Sequence, residues 1–268
     1  MHRTARLSLK GIDVMTESPK FFATIDVQPV KTLLSILSKL SEEAIYTWTP
    51  EGLRIRVVCA HRFKLADIWL KPEAFREYNC PETVKLGVVN ERLKDIVKTL
   101  TSKDTVDFSY EEGKFVLESK GLRRVIKLLR LEYMNEVDSL PQFSYSYSLT
   151  TISKDIRDYL KALGKTMAFD AILRNAETGS SELLWRSKND DEPIEWKPVF
   201  DTESEEERVL TASDVSSTTY TTEEVLATLG ATLRKQPVTL QGGQDIPLRA
   251  EWTPHDGFRV IAMVANRS

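Results

Sequence analysis

The stretch VKLGVVNERLKDIVKTLTSKDTVDFSYEEGKFVLES, Val84 to Ser119, decides the fold. It reads as a strand (VKLGV), a helix (NERLKDIVKTL, Asn90–Leu100), a strand (TVDFSY), a turn at EEG and a further strand (KFVLES). Val89, Leu93, Ile96, Val97 and Leu100 recur at helical spacing and give the helix one buried face. Lys94 and Lys98 stand opposite, beside Glu91 and Asp95. Strands joined by tight turns, with a helix set between them, define an α+β arrangement built mostly of antiparallel strands.

Working outward, the same grammar precedes this stretch. FFATIDV (Phe21–Val27) has strand composition and leads into the helical pattern PVKTLLSILSKL (Pro29–Leu40), where Pro29 suits a first turn. EAIYTWT and LRIRVVC form a hairpin around Gly52. HRFKLADIWL is the next strand and Lys71-Pro72 ends it. After Ser119 comes a glycine-led apolar run, LRRVIKLL. The order then recurs. YSYSLT precedes the helix ISKDIRDYLKALG (Ile152–Gly164), closed by glycine. AFDAILR, SELLWR and PIEWKPVF follow, then the acidic run DTESEEE. RVLTA leads to the helix TTEEVLATLGATLRK (Thr221–Lys235), with Thr221 or Thr222 as cap, and PVTLQ, IPLRAEW and FRVIAMV close the chain. The chain therefore divides into a leader (1–20), a first domain (21–131), an acidic, proline-containing connector EYMNEVDSLPQF (132–143) and a second domain of similar plan (144–268).

Composition narrows the function. Of 268 residues, 41% are hydrophobic and 29% charged, which is too apolar for a disordered chain. No apolar run reaches the roughly 18 residues of a membrane span, and the basic N-terminus lacks the apolar core of a secretory signal. Two cysteines, Cys59 and Cys80, make no disulfide framework, so a reducing, cytoplasmic and nucleoid-associated setting is expected. His2, His61 and His255 share no metal-ligand spacing with one another or with cysteine, and no phosphate-cradling or nucleophile-elbow motif is present. No catalytic residue, metal or cofactor is expected. A net charge of −3 also argues against gripping nucleic acid over the whole surface, so any such contact needs segregated charge.

The helices supply that segregation. In the third helix Ile152, Ile156, Tyr159, Leu160 and Leu163 form the apolar face, with Lys154, Lys161 and Lys165 opposite, Arg157 at the flank and Asp158 interrupting. The first helix buries Leu33, Leu34, Ile36, Leu37 and Leu40 and turns Lys31 and Lys39 outward. In the fourth, Arg234 and Lys235 come only at the end. A solvated lysine face is ordinary for one helix. Lysine at the same pole of three helices in an acidic protein is less so.

These residues resemble the sliding clamps of the proliferating cell nuclear antigen (PCNA) type, particularly the archaeal ones. The resemblance runs from about Phe21 to Arg267. It is carried by TPEGLRIRVVCAHRFKLADIWL, by the opening stretch, by SSTTYTTEEVLATL and by QDIPLRAEWTPHDGFRVIAMVANR, in that order. It implies a DNA-clamp fold, with two similar domains of antiparallel sheets and two helices each on the inner face. Three chains then form a ring around duplex DNA. Lys31, Lys39, Lys94, Lys98, Lys154, Arg157, Lys161 and Lys165 would face the DNA without reading its sequence. Subunits would join head to tail through edge strands, Lys114, Phe115, Val116 and Leu117 of one meeting Ile194, Trp196 and Val199 of the next, with Pro198 removing one ladder donor.

The resemblance also implies an outer pocket beside the connector. It would be formed by Val58, Leu65, Val137, Leu140, Pro247 and the tail Met263, Val264, Ala265, Asn266 and Arg267. PCNA-interacting peptides of DNA polymerase, clamp loader, flap endonuclease and DNA ligase would dock there. Asn266 stands where the family usually has proline, and Met263 where it usually has an aromatic. No membrane partner is expected. Two assemblies remain open, a homotrimeric processivity factor and a regulatory or checkpoint-type paralogue working only in a mixed heterotrimeric ring.

Overall fold

The computed structural model describes residues 20–164, 167–175, 181–188, 192–198, 209–230 and 232–267. Lys165, Val199, the leader before Lys20 and the run DTESEEE lie outside the described residues.

The period-two patterns become strands. Along β1 (Phe21–Asp26) Phe21, Ala23 and Ile25 are buried while Phe22, Thr24 and Asp26 are half-buried. After it come α1 (Val27–Leu37), β2 (Glu43–Thr49), β3 (Gly52–Val58), β4 (Lys64–Leu70), β5 (Glu77–Asn79), β6 (Val84–Val89), α2 (Asn90–Val97), β7 (Thr105–Glu111), β8 (Lys114–Ser119) and β9 (Leu122–Ile126). The second half holds β10 (Tyr147–Ile152), α3 (Ser153–Ala162), β11 (Ala168–Asn175), β12 (Ser181–Ser187), β13 (Glu195–Trp196), β14 (Val209–Ala212), β15 (Ser216–Thr221), α4 (Thr222–Leu229), β16 (Pro237–Gly242), β17 (Leu248–His255) and β18 (Phe258–Val264). Among the described residues no helix is long and apolar enough to cross a membrane.

The helices are shorter than their patterns. α1 starts two residues before Pro29 and ends at Leu37, α2 ends at Val97, and α4 stops before Gly230, which leaves Arg234 and Lys235 beyond the helix. Thr221 holds the cap position of α4 with extended backbone but makes no side-chain capping bond. Each apolar stripe packs inward: Val27, Val30, Leu33, Leu34 and Leu37 of α1, and Ile156, Tyr159 and Leu160 of α3, are buried. Burying each such side chain contributes about 1.5–3 kcal/mol, so packing rather than capping holds these short helices. Each half has its own aromatic centre, Phe21 stacked on Trp48 at 4.3 Å and Phe169 on Trp185 at 4.7 Å. Gly52 is required at the β2–β3 turn. Its φ is +122°, and a Cβ there would meet the Leu70 carbonyl oxygen at 2.2 Å.

The sheets show the duplication. One has the order β5-β1-β7-β8-β9, and its counterpart in the second half runs β14-β10-β16-β17-β18. Likewise β4-β3-β2-β6 corresponds to β13-β12-β11-β15. The halves fuse because β18 pairs antiparallel with β4 from Phe258↔Leu70 to Val264↔Lys64, giving a continuous nine-stranded sheet. Among the described residues their counterparts β9 and β13 are each paired on one side only.

This corrects the expected subunit edge. Lys114, Phe115, Val116 and Leu117 belong to β8, which is bonded on one side to β7 and on the other to β9, and Phe115, Val116 and Leu117 are buried. An interior strand has no free ladder to offer a second chain. Among the described residues the open strand beside β8 is β9. On the other side Ile194 and Trp196 do lie at an edge, with Trp196 paired to Trp185 of β12. Pro198 falls beyond that two-residue strand, so it removes no donor from the ladder β13 makes with β12.

Candidate DNA face and partner surface

On the helical side, cations from both halves converge. Lys39, just past α1, has its ammonium pKa pushed down by burial and by the charge of Arg157 on α3. Arg157 itself donates to the Thr232 carbonyl at 2.8 Å. Lys154 and Lys161 are exposed; Lys154 pairs with Asp158 at 2.7 Å and holds that carboxyl below its ordinary value. Lys94 pairs with Glu91 at 3.2 Å and Lys98 with Asp95. Exposed pairs of this kind are weak and screened by salt, so the ammonium groups stay available to a phosphate. Lys31 differs. Its Nζ is 2.6 Å from the Leu100 carbonyl, tying α1 to the end of α2, and the residue is half-buried.

The opposite face of the nine-stranded sheet brings together residues far apart in sequence. The ladder aligns Val58↔Leu65 and Leu65↔Met263, so these three form one cross-strand row. The next row on the same face holds Arg56↔Asp67↔Ile261↔Glu251, and the one after it Arg54↔Trp69↔Arg259. Side chains two apart on a strand share a face, which places the charged rows beside the apolar one. Met263 is only 4% exposed, while Val58, Leu65, Val137, Leu140 and Pro247 are half-buried. Val264 is a correction. It packs in the core on the helical side and pairs with Leu248, so its side chain does not reach the outer row.

The tail is fastened. The Ala265 amide donates to the Phe63 carbonyl and the Arg267 amide to the Thr219 carbonyl, both at 2.8 Å. These donors flank Asn266, so asparagine in place of proline leaves the docking bonds of the tail intact. Phe63, 54% exposed at the end of the apolar row, is a rim residue that the sequence pattern did not single out; its place just before β4 was the available signal. Asp67, 4% exposed, is another. It accepts from Arg54 Nε at 2.8 Å and lies 3.4 Å from Arg56 Nε.

The domain pair thus has a helical face with gathered cations, an outer face with an apolar row, and two different open edges, β9 and β13. Residues 25–138 match the family model described as proliferating cell nuclear antigen, N-terminal domain. Among curated relatives, "DNA polymerase sliding clamp 1" of Aeropyrum pernix is 28% identical, covering 88% of this chain and 95% of its own length. The "DNA polymerase sliding clamp" of Nitrosopumilus maritimus is 25% identical, covering 89% and 94%. Among solved structures, A. fulgidus PCNA bound to the C-terminal region of FEN-1 superposes with a TM-score of 0.82 at 16% identity, covering 92% of this chain and 98% of that one. The PCNA2–PCNA3 complex of Sulfolobus tokodaii gives 0.74 at 18%, covering 92% and 99%. The chain has the fold of the PCNA structures and is similar in sequence to DNA polymerase sliding clamps over most of its length.

Proposed function

We infer that this protein is a DNA sliding clamp, a ring that encircles duplex DNA without reading its sequence and tethers replication and repair enzymes, with no catalysis of its own. The observation that carries the reading is the β4–β18 joint. Within the chain, the last strand of one repeated sheet meets the first strand of the other. The equivalent strands β9 and β13 are free, so repeating the joint between chains continues the sheet head to tail, a heterologous contact that closes by rotation into a trimer.

The edges fit that use. Leu122 and Val125 of β9 are 61% and 54% exposed, a liability for an edge strand left unpaired. Beside β13 a groove of about 450 Å³ lies between Ile194, Trp196 and the α3 residues Asp158 and Tyr159. The charges of the two edges are partly complementary, although Lys197 adds a cation beside β13. The β9 edge and its flanks carry Lys120, Arg123, Arg124 and Lys127, whereas Glu192 and Glu195 accompany β13.

In the closed ring Lys39, Lys94, Lys98, Lys154, Arg157 and Lys161 would line the bore, while Lys31 would act mainly as a helix tie. Interleaved carboxylates keep attraction to phosphates shallow, and topology supplies retention. Partner peptides would dock on the row Val58–Leu65–Met263 beneath Val137 and Leu140, raising the local concentration of the tethered enzyme. Loading onto a nicked circular duplex tests the reading. Clamp should stay on the circle through a salt wash and run off once the circle is cut; equal retention on circle and linear DNA would refute encirclement.

A further inference from the structure

We propose that Arg56 is a positioning residue for the partner-peptide site, fastening the connector at Val137 and Asp138 so that Val137 and Leu140 stand over the apolar row; this rests on the pocket reading above. Asp67 is buried in the sheet, and a buried carboxylate must be paired. Arg54 meets it with two guanidinium nitrogens, Nε on Oδ1 at 2.8 Å and the second on Oδ2. Arg56 needs only its Nε to approach the same oxygen, at 3.4 Å. Its Nη1 is therefore aimed past the carboxylate at the connector, where it donates to the Asp138 carbonyl and lies 3.5 Å from the Val137 carbonyl. A planar, always-charged guanidinium at ion-pair distance from a buried anion, donating through Nη1 to the connector, acts as a strut between them that a lysine would not reproduce.

The strut sits at a particular place. Upstream, the chain entering the connector is pinned by the Leu129 amide on the Gly87 carbonyl at 2.8 Å and by the Lys85–Glu136 ion pair. Downstream of Asp138, the next backbone hydrogen bond among the described residues is from the Ser146 amide to the Gly242 carbonyl, at 2.8 Å. Arg56 thus marks where the fastened part of the connector ends and the span carrying Leu140 begins. Its side chain also lines the groove of about 480 Å³ between connector and sheet, with Thr47, Arg54, Trp69, Lys85 and Glu136.

The test compares Arg56→Gln, Arg56→Lys and Arg54→Gln. The last removes a cation from the same carboxylate but no connector bond, so it moves everything a merely structural role would move. Amide hydrogen exchange across residues 137–145 and calorimetric affinity for a synthetic peptide of the A. fulgidus FEN-1 C-terminal region are read on variants of unchanged mass by light scattering. Both Arg56 variants should raise connector exchange and weaken the peptide about tenfold, the loss expected for one charged hydrogen bond, with Arg54→Gln within about twofold of the unaltered protein. Unchanged exchange or unchanged peptide affinity in Arg56→Gln, or equal effects of Arg54→Gln and Arg56→Gln, would overturn the proposal. If the unaltered protein takes up no peptide, the pocket reading falls and the exchange result alone decides whether Arg56 fastens the connector.

Discussion

Glu251 shows how a single outer-face carboxylate ties the second domain together. Burial alone would push its carboxyl up, but hydrogen bonds from Arg259, with Nε at 2.6 Å, and from Arg249 outweigh it and hold the group below the usual glutamate value of 4.5. A lowered value in the fold means that the unfolded chain takes up the proton first. The stabilisation is therefore complete above pH 4.5 and drains as pH falls through the folded value. Glu251→Gln should melt at a lower temperature than the unaltered protein near neutrality. That gap should narrow steadily as calorimetric scans are taken below pH 4.5. A gap that stays constant into acid would mean the two arginines gain nothing from the charge of Glu251. Such residues were invisible in the sequence because their partners are set by ladder register: Glu251 meets Ile261 across β18, and Asp67 meets Arg56 across β3. A one-residue slip would send each to the other face.

At the scale of elements, the helices carry charge in a pattern that composition concealed. Replacing Lys94, Lys98, Lys154 and Lys161 with alanine removes four cations, three of them exposed and Lys94 half-buried, from α2, its C-terminal flank and α3, while leaving the buried side chains Leu93, Val97, Ile156 and Leu160 untouched. Residence on circular DNA should shorten and its salt dependence should flatten, by up to about 0.9 in log–log slope for each phosphate no longer neutralised, with assembly mass unchanged. Undiminished residence would move the DNA face elsewhere. The helices were legible because a 3.6-residue stripe needs no tertiary information, whereas their ends were not: α4 stops before Gly230 although its pattern runs on to Lys235. Strand type was equally legible and strand position was not. KFVLES has an unbroken apolar centre, Phe115 to Leu117, that suits a strand inside its sheet, where it lies, and the true edge, LRRVI, reads as little more than an apolar run broken by arginines. Those arginines were the better clue, since charge is how proteins blunt an edge. Lys31 matched the outward pole of its helix, but a carbonyl distant in sequence claims it.

For the whole molecule, the decisive geometry is that one chain contains a copy of the joint it needs from its neighbour. β18 meets β4 inside the chain, and β9 and β13 are their equivalents left open, so each molecule offers two different surfaces rather than one self-complementary patch. Head-to-tail growth follows, and closure of a ring would leave no β9 or β13 edge unpaired. This logic can be broken one surface at a time. Leu122→Glu with Val125→Glu disables the β9 edge, and Ile194→Glu with Trp196→Glu disables β13. Each apolar side chain buried at the joint is worth about 1.5–3 kcal/mol, so either pair should abolish the ring. The β9 pair should leave the chain's own fold intact, because Leu122 and Val125 are largely exposed within it. Trp196 stacks on Tyr159 at 5.8 Å, so Ile194→Glu alone is the milder control for the second surface. By light scattering, each variant alone should run at the mass of a single chain. Mixed in equal amounts, they retain one intact β9 and one intact β13, so a pair of chains should form and grow no further. A full ring from the mixture, or a dimer from either variant by itself, would mean that like surfaces meet like and that the chain closes on itself by some other route.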